Sequence, residues 1–498
     1  MERKTTQEQF NELVHETMAD FDLDSMDEAI EFAASQFTSQ NLSLWNIIQD
    51  ASVVRGEDAL TKFSAKYSSQ LEKYDPSVDE TEFLRQLEQI TQLLENSDPK
   101  ALLAFQDYAA SKRVDRIVLE IARRKESTSS ILEPSLGFIA LCYKGYPDLV
   151  SEETIDWLVH LCQPGNGIAC TDGCYLHPRV IDILVDCCFK HERNRQSIFA
   201  KGAASLIAGR LTTNNEDELI PALKLISALC RDDDVRVEAS SAHVHATELA
   251  EHLLKPCLSI LKDRPGSTSQ QTHLLAALAS MTVANDLATS IFNEFDFIRF
   301  KELLEEHTNK PALLARLFKW LAALGGNDDI RSEMKLLIPS IIQCMYQNEV
   351  NGTGTIEPLD SPPHHSCSIK ATSVQVKNSF FRHAFLLISI LTLRNKENSS
   401  MFIENGIIDR ILSVITNPLF EKTRNVGCLA LRNMASSTKL PKPFEEAGVI
   451  DVMNEMLGDK TDCRTVDDCK SVLVALNAPV ELQSRWTGER GDIVGANR

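Results

Sequence analysis

Three cysteines and one histidine lie within sixteen residues and are the side chains of this chain best suited to bind a metal: Cys162, Cys170, Cys174 and His177. Three thiolates and an imidazole can hold zinc in a tetrahedral site. Neither cysteine spacing is the Cys-x2-Cys of known zinc modules, and the intervening residues are rich in glycine, as in a connection between helices. We therefore predict no bound metal. A metal-dependent regulator that uses the loop from Cys162 to His177 is the alternative hypothesis.

A second pair of possible ligands, His243 and His245, follows the acidic run Asp232 to Asp234. Residues two apart point to different sides of a helix, so the two imidazoles can share a ligand only from an irregular loop. The residue types predict no role beyond polar contacts with the acidic run.

Motifs of the common enzyme classes are missing from the sequence. It contains no Walker loop, no Gly-x-Ser-x-Gly elbow, no His-Glu-x-x-His and no dinucleotide fingerprint. We therefore predict that the protein is not an enzyme and needs no cofactor.

Composition narrows the environment and the partners. The 498 residues have a formal net charge of -20, which disfavours direct binding to nucleic acid because that requires clustered Lys and Arg. No apolar run approaches the roughly 20 residues of a membrane span, and the first residues lack the apolar core of a secretory signal. We expect a cytoplasmic protein, with the nucleus as a second expected compartment. Its thirteen cysteines should be reduced.

The acidity is concentrated near the N-terminus. Residues 1–80 contain 17 acidic and 6 basic side chains. Apolar residues at helical spacing, from Phe10 to Thr17 and from Met26 to Phe37, predict two amphipathic helices. We assign residues 1–79 to an acidic helical module and linker. Its charge is interpreted as a solvated face, with an electrostatic docking arm for a basic partner as the alternative.

The elements that must position all these residues are repeated helices. The stretch from Phe402 to Asp409 recurs 42 residues later, from Phe444 to Asp451, with Glu, Gly, Ile and Asp in register. A helix from Ala430 to Ala435 lies between the copies. A period near forty with a glycine-marked turn and helical apolar spacing is typical of a stacked α-helical repeat.

The repeat signal extends over residues 80–478. The stretch from Ala228 to Arg236 aligns with the stretch from Ala323 to Arg331 at an offset of 95, about two repeats, and predicts a reused helix end and acidic turn. Residues 348–378 lack a helical stripe and contain several Gly and Pro, so we predict an inserted flexible loop. Residues 479–498 are assigned to a C-terminal tail.

These motifs carry a resemblance to a known family. The repeat period and the Ala-Leu-Arg-Asn-Met-Ala helix resemble armadillo repeats. The stretches Lys190 to Gln196, Asp232 to Val237, Gly326 to Arg331 and Trp486 to Gly491 resemble the armadillo repeat-containing protein 6 family. The resemblance implies an all-α, right-handed superhelical armadillo-repeat solenoid. It also implies that each repeat is a short helix followed by two longer ones, and that the protein is a non-enzymatic scaffold.

Armadillo proteins that bind nuclear import signals use a Trp-x-x-x-Asn ladder on the third helix of each repeat. Only Asn433 fits that ladder, because the equivalent positions are Ala228 and Ala323, and Lys224 and Lys319 stand where Trp is needed. These cations would repel a basic peptide, so an import-type peptide carrier is disfavoured.

The resemblance implies that partners bind in a concave groove formed by the third helices. We expect proteins or peptides as partners, and no membrane. Helical spacing predicts a groove of mixed charge whose candidate residues are Lys224, Asp232, Lys319, Asn327, Asn433 and Ser437.

Overall fold

The described part of the chain is helical throughout and contains no β-strand. A computed structural model describes residues 5–21, 25–72, 79–124, 129–163, 177–263, 266–283, 285–295, 297–348, 366–458 and 463–480. No helix among these residues is both long and apolar enough to cross a membrane. The chain forms two compact units, Met1–His245 and Ala246–Arg498, and helix α14 (Ala242–Asp263) contains the boundary.

The first unit contains thirteen α-helices before α14 among its described residues. They are α1 (Gln7–Phe21), α2 (Met26–Ser39), α3 (Ala51–Val54), α4 (Ala59–Glu72), α5 (Glu80–Glu95), α6 (Pro99–Ser111), α7 (Val114–Arg124), α8 (Ser129–Tyr143), α9 (Glu152–Leu161), α10 (His177–Cys187), α11 (Glu192–Ala200), α12 (Ala203–Leu211) and α13 (Glu216–Leu229), with a 3₁₀ helix at Pro147–Leu149.

The second unit continues the same pattern. Its described helices after α14 are α15 (Thr268–Met281), α16 (Asn285–Phe295), α17 (Phe297–Glu306), α18 (Pro311–Leu324), α19 (Asp328–Glu333), α20 (Ile338–Gln347), α21 (Ser366–Thr392), α22 (Lys396–Glu404), α23 (Ile407–Ile415), α24 (Arg424–Thr438), α25 (Lys442–Glu446), α26 (Val449–Gly458) and α27 (Cys463–Ala475), with 3₁₀ helices at Met334–Leu337 and Pro418–Thr423.

In three repeats the chain turns from the first to the second helix at a glycine. Gly406 lies between α22 and α23, and Gly448 lies between α25 and α26. Both have a φ of 74°, in the left-handed region that glycine adopts without a Cβ clash. Gly202, with a φ of 93°, makes the same turn between α11 and α12. The glycine-marked turn predicted from two copies therefore has a third copy in the first unit.

The third helices of successive repeats pack on one another. The order is α5, α8, α10 and α13 in the first unit, and α15, α18, α21, α24 and α27 in the second. Trp320 of α18 shows how such a layer is filled. It is fully buried against the rings of Phe295 and Phe300, and its indole N–H donates to the hydroxyl of Thr282 over 3.1 Å. A buried indole requires such a partner for its N–H.

The acidic N-terminal module docks on the first repeat. Helices α1 and α2 pack through Phe10, Val14 and Ile30, as their apolar spacing predicted. The Asn46 amide donates to a carboxylate oxygen of Asp107 in α6 over 3.1 Å. Helix α4 packs against α5 and α7. The stretch assigned to the N-terminal module and linker, residues 1–79, thus includes a helix that packs on the helices after it.

The predicted insert also differs from the structure. Residues 349–365 lie outside the described residues, as do residues 481–498 of the predicted tail. Helix α21 begins at Ser366, so the last thirteen residues of the predicted loop, up to Asn378, are helical. The Asn378 amide donates to the carbonyls of Val374 and Leu419. These polar residues gave no apolar stripe, which is why the sequence suggested a loop.

Candidate functional site

Two of the predicted groove residues, Lys224 and Asp232, belong to the first unit. Lys224 is half-buried on α13 and its ammonium lies 3.8 Å from a carboxylate oxygen of Asp182. Asp232 is exposed in the irregular segment after α13. Lys224 therefore pairs with the neighbouring third helix, α10.

Two others, Lys319 and Asn327, occupy different environments in the second unit. Lys319 is exposed on α18. Asn327 caps α19, because its side-chain oxygen accepts from the backbone N–H groups of Asp329 and Ile330. Its amide donates to the Thr289 hydroxyl over 3.1 Å. The side chain of Asn327 therefore stabilises a helix end.

The remaining two, Asn433 and Ser437, bind the adjacent helix α21. Asn433 is 7% exposed, and its amide donates to the Ser389 carbonyl over 2.8 Å. The Ser437 hydroxyl donates to the Thr392 carbonyl over 2.6 Å. Because these donors are used inside the fold, the residue that most resembles a peptide-binding asparagine serves inter-helix packing.

Cations cluster where α18 and α21 pack. His383 of α21 is half-buried, and its ring nitrogen Nδ1 donates to the Ser379 carbonyl over 2.8 Å. Burial lowers the pKa of His383, and the positive charges of Arg316, Lys319 and Arg382 act in the same direction, so that the pKa is about 4 despite the opposing effect of that hydrogen bond. His383 is therefore neutral near pH 7, and three cations on α18 and α21 lie near enough to affect its pKa.

The sequence motifs that carried the family resemblance come together around α11. Arg195 is fully buried, and its guanidinium donates to a Glu192 carboxylate oxygen over 3.0 Å and to an Asp233 oxygen over 2.6 Å. It also donates to the Cys188 carbonyl over 2.9 Å. Glu192 accepts in turn from the Ser241 backbone N–H over 2.7 Å. A buried guanidinium is tolerated because carboxylates and a carbonyl compensate its charge.

The partner loop contributes Asp234 and Arg236. One Asp234 carboxylate oxygen accepts from the backbone N–H of Glu192 over 2.9 Å, so Asp234 binds the N-terminus of α11 from a distant segment. Arg236 donates to Asp234 over 2.8 Å, to Asp148 over 2.6 Å and to the Lys190 carbonyl over 2.7 Å. We call the set Glu192, Arg195, Asp233, Asp234 and Arg236 the α11 clamp.

Three groups here have a lowered pKa. Burial alone would raise the pKa of Glu192, but hydrogen bonds from Ser241 and Arg195 outweigh it and lower the value. The Arg236 hydrogen bond holds the pKa of Asp234 well below its usual range. Burial lowers the pKa of His191, whose Nδ1 accepts from the Asn194 backbone N–H and caps α11. Near pH 7 the two acids of the clamp are therefore ionised, and the neighbouring His191 is neutral.

The clamp holds an irregular segment, residues 231–241, rather than a reactive centre. Val235 at its tip is 98% exposed, and Val237 is also exposed. His245 stacks on Phe199 with ring centroids 4.1 Å apart, and its Nδ1 lies 3.2 Å from the Leu229 carbonyl oxygen. Since His245 is buried and His243 is exposed, the two imidazoles do not converge on a shared ligand.

The predicted echo between the two units holds only at the helix ends. Cys230 ends α13 and Gly325 ends α18. After Gly325 the chain enters α19 at Asn327, whereas residues 231–241 stay irregular. Arg331, aligned with Arg236, donates to the Leu393 carbonyl of the next repeat, whereas Arg236 donates to the preceding one.

The possible metal loop is described only at its start. Cys162 is buried, and burial raises the pKa of its thiol to about 12, opposed in part by Arg210. Cys170, Cys174 and the side chain of His177 lie outside the described residues. Elsewhere, no group of three or more His, Cys, Asp or Glu in the described ranges is arranged to hold a metal.

Comparison with known proteins places this architecture in a family. Residues 2–72 match the Armadillo repeat-containing protein 6 N-terminal domain, and this match covers the acidic helical module. The chain is similar to the armadillo repeat-containing protein 6 family. The predicted family resemblance and the all-α armadillo-repeat fold are therefore confirmed.

Relatives in the armadillo repeat-containing protein 6 family match most of the chain. The Armadillo repeat-containing protein 6 homolog of Drosophila melanogaster is 24% identical over 412 residues, covering 82% of this chain and 81% of its own length. Armadillo repeat-containing protein 6 of Homo sapiens is 24% identical over 378 residues, 70% of either chain. The crystal structure of an engineered protein from a structural genomics consortium covers 94% of this chain and 99% of its own, with a TM-score of 0.53 and 11% identity, a likeness of fold alone.

The sequence alone does not distinguish Arg195 and Arg236 from other charged residues. Both lie in stretches that resemble the family, Lys190 to Gln196 and Asp232 to Val237, and the alternation of charge in these stretches is the signal that the sequence offers. Nothing in one sequence pairs Arg195 with an acid 38 residues away, or Arg236 with Asp148, 88 residues away.

Proposed function

We propose that this armadillo-repeat protein is a non-enzymatic scaffold that binds acidic segments of other proteins through the third helices of its second unit. The observation that supports this proposal is the cation cluster of Arg316, Lys319 and Arg382 around His383 on α18 and α21. Repeat proteins bind partners along the continuous face that their stacked helices provide.

The charge of this cluster selects the partner. Arg and Lys at an exposed face attract carboxylates and repel basic peptides, and guanidinium groups bind carboxylates in a bidentate geometry. The same cluster argues against an import-type carrier.

Asn433 and Ser437 have a different role in this proposal. Both donate to carbonyls of α21, so we expect them to hold α24 in place rather than to bind a peptide. Asn433→Ala should lower the free energy of unfolding by about 1–3 kcal/mol, because it leaves the buried Ser389 carbonyl without its donor. It should leave partner binding unchanged, because it does not alter the surface charge.

The test compares two double variants of the full chain. Lys319→Glu/Arg382→Glu reverses two exposed charges on third helices, and Lys396→Glu/Lys422→Glu reverses two exposed charges outside them. Proximity labelling with each variant in cells, followed by mass spectrometry, identifies partners that depend on the cluster. Purified partner segments are then titrated against each protein.

We expect proximity labelling to lose partners rich in Asp and Glu with the first variant and to keep them with the second. In the titrations, the first variant should bind the partner segments with a Kd at least tenfold higher than that of the second. The proposal fails if the first variant keeps every partner, or if the second loses the same ones. Thermal unfolding of both variants verifies that they are folded.

A further inference from the structure

A second basic surface lies in the first unit, on α7. Arg116 and Arg123 are seven residues apart, which places them on one side of α7, and Arg113 directly precedes the helix. Arg124 ends the same helix. Arg113, just before α7, has a φ of 59°, so the chain enters the helix through a left-handed residue that carries the first guanidinium of the stripe.

These four arginines line a cavity of about 640 Å³. Its other walls come from the end of α4 and the start of α9, and its volume is within the range of roughly 300–1,000 Å³ that is usual for ligand sites. Arg113, Arg116 and Arg124 are exposed, and Arg123 is half-buried. The cavity therefore presents guanidinium groups to solvent.

Acidic side chains only partly balance this charge. Glu120 and Glu153 are the carboxylates in the lining. Glu120 pairs with Arg124 over 3.0 Å, whereas Glu153 contributes its backbone carbonyl to Arg123 over 3.4 Å.

The first two arginines of the stripe are not neutralised by contact. Within the described residues, Arg113 and Arg116 make no ion pair with a carboxylate. Asp115, between them in sequence, interacts with both at longer range but is 3% exposed, and burial raises its pKa. It therefore lies beneath the surface that a ligand would contact.

The dimensions of the stripe indicate the kind of ligand. From Arg113 to Arg123 a helix advances about 15 Å, the length of roughly five residues of extended chain. A single phosphate or small dicarboxylate is too short to contact the whole stripe. The lining also includes the half-buried Leu71, which provides apolar surface beside the charges, whereas Ile117 and Leu119 of the lining are buried.

We propose that this α7 cavity binds an acidic peptide segment of a partner protein, with carboxylates on Arg113 and Arg116 and apolar side chains against the lining. The site is in the first unit and does not depend on the proposed role of Lys319 and Arg382. Bidentate pairing of carboxylates with guanidinium groups gives the specificity.

Fluorescence anisotropy on the full chain tests the proposal. The probe is a short labelled peptide of alternating glutamate and leucine, and the reference is the same peptide with glutamine for glutamate. The variant is Arg113→Glu/Arg116→Glu. The matched control is Arg193→Glu, because Arg193 is an exposed arginine outside the cavity. Arg116→Gln is a milder second variant in case the double variant unfolds.

We expect the glutamate peptide to bind at least tenfold more tightly than the glutamine peptide, and the double variant to remove that difference. Arg193→Glu should change Kd by less than about twofold, and added salt should weaken binding. Equal affinity for the two peptides, or unchanged binding by both cavity variants, overturns the proposal. So does full competition by inorganic phosphate at equal concentration, which indicates a small-anion site. Lys319→Glu/Arg382→Glu should leave this binding intact, which separates the two proposals.

Discussion

Helices α11 and α22 are each the first helix of a repeat, and they bind the preceding helices through different polar side chains. In α11 the Asn194 amide donates to the Cys187 carbonyl, seven residues earlier, and to the Pro147 carbonyl of the preceding repeat. In α22 the Asn398 amide donates in the same way to Leu391 and Arg331. Asn194 and Asn398 thus both join a repeat to the one before it.

The next position separates them. In α22 the Ser399 hydroxyl lies 3.3 Å from the Thr392 carbonyl and 2.8 Å from the Asn395 carbonyl, neutral contacts that require no charged partner. In α11 the equivalent Cys188 carbonyl is bound by Arg195, whose buried charge requires Glu192 and Asp233. The neutral hydroxyl of Ser399 uses only carbonyls close in sequence. The buried guanidinium of Arg195 makes α11 depend on Asp233, about forty residues later in the chain.

Removing the guanidinium should have the largest effect. Arg195→Ala leaves the Glu192 carboxylate buried without its cation, so we expect a loss of about 3–5 kcal/mol in the stability of the first unit. Ser399→Ala should cost about 1 kcal/mol. Urea unfolding of both variants measures the difference. Equal losses would mean that the clamp contributes no more than the hydroxyl.

The shared asparagines should behave alike. Asn194→Ala and Asn398→Ala each remove two buried hydrogen bonds, and we expect about 1–3 kcal/mol in either case because the same carbonyls lose their donor. Thermal unfolding of each variant provides the comparison. A loss confined to one of them would show that the repeats are joined by other contacts.

Acid should loosen α11 before α22. The pKa values of His191, Glu192 and Asp234 are lowered in the folded chain, so their stabilising contribution is present above their ordinary values and is lost as pH falls. His191 faces Asp148, Arg236 and Asp234, and its protonation removes the Nδ1 acceptor. We expect loss to begin below about pH 6.5 through His191 and to grow below about pH 4.5.

Hydrogen exchange across residues 190–241 and 395–405 measures this order. The α22 region, capped by Asn395, should keep its protection over the range in which the α11 region opens. Simultaneous opening would contradict the assignment of acid sensitivity to the clamp.

The smallest effect is expected at the clamp's exposed side. Arg236→Ala removes ion pairs to Asp148 and Asp234 from a half-exposed side chain, so global stability should fall by at most about 1 kcal/mol. Hydrogen exchange of residues 231–241 should nevertheless rise, because Arg236 also holds the Lys190 carbonyl. Unchanged exchange would show that Arg195 alone orders the loop.

The fold was largely predictable from local patterns. Apolar residues at helical spacing predicted α1, α2 and most repeat helices, and the recurring glycine predicted the turn at Gly406 and Gly448, because only a glycine adopts that backbone without strain. The start of α21 at Ser366 was missed, since a polar helix end has no apolar stripe to mark it.

The groove stays a prediction, and its residues have different environments because exposure depends on what packs against a helix. Lys319 is exposed as expected, whereas Asn433 and Ser437 donate to α21 and Asn327 caps α19. Helical spacing placed these residues on a face, but the neighbouring helix decided whether their polar atoms reach solvent.

The sequence by itself determined the repeat, its period, the family resemblance and the excess of acidic residues, since these depend on residue type and on spacing along the chain. Only the tertiary structure decided that Arg195 is buried with Glu192 and Asp233, and that four arginines around α7 share a cavity with the ends of α4 and α9. Electrostatic pairing depends on distance in space, and residues far apart in sequence become neighbours only when the repeats stack.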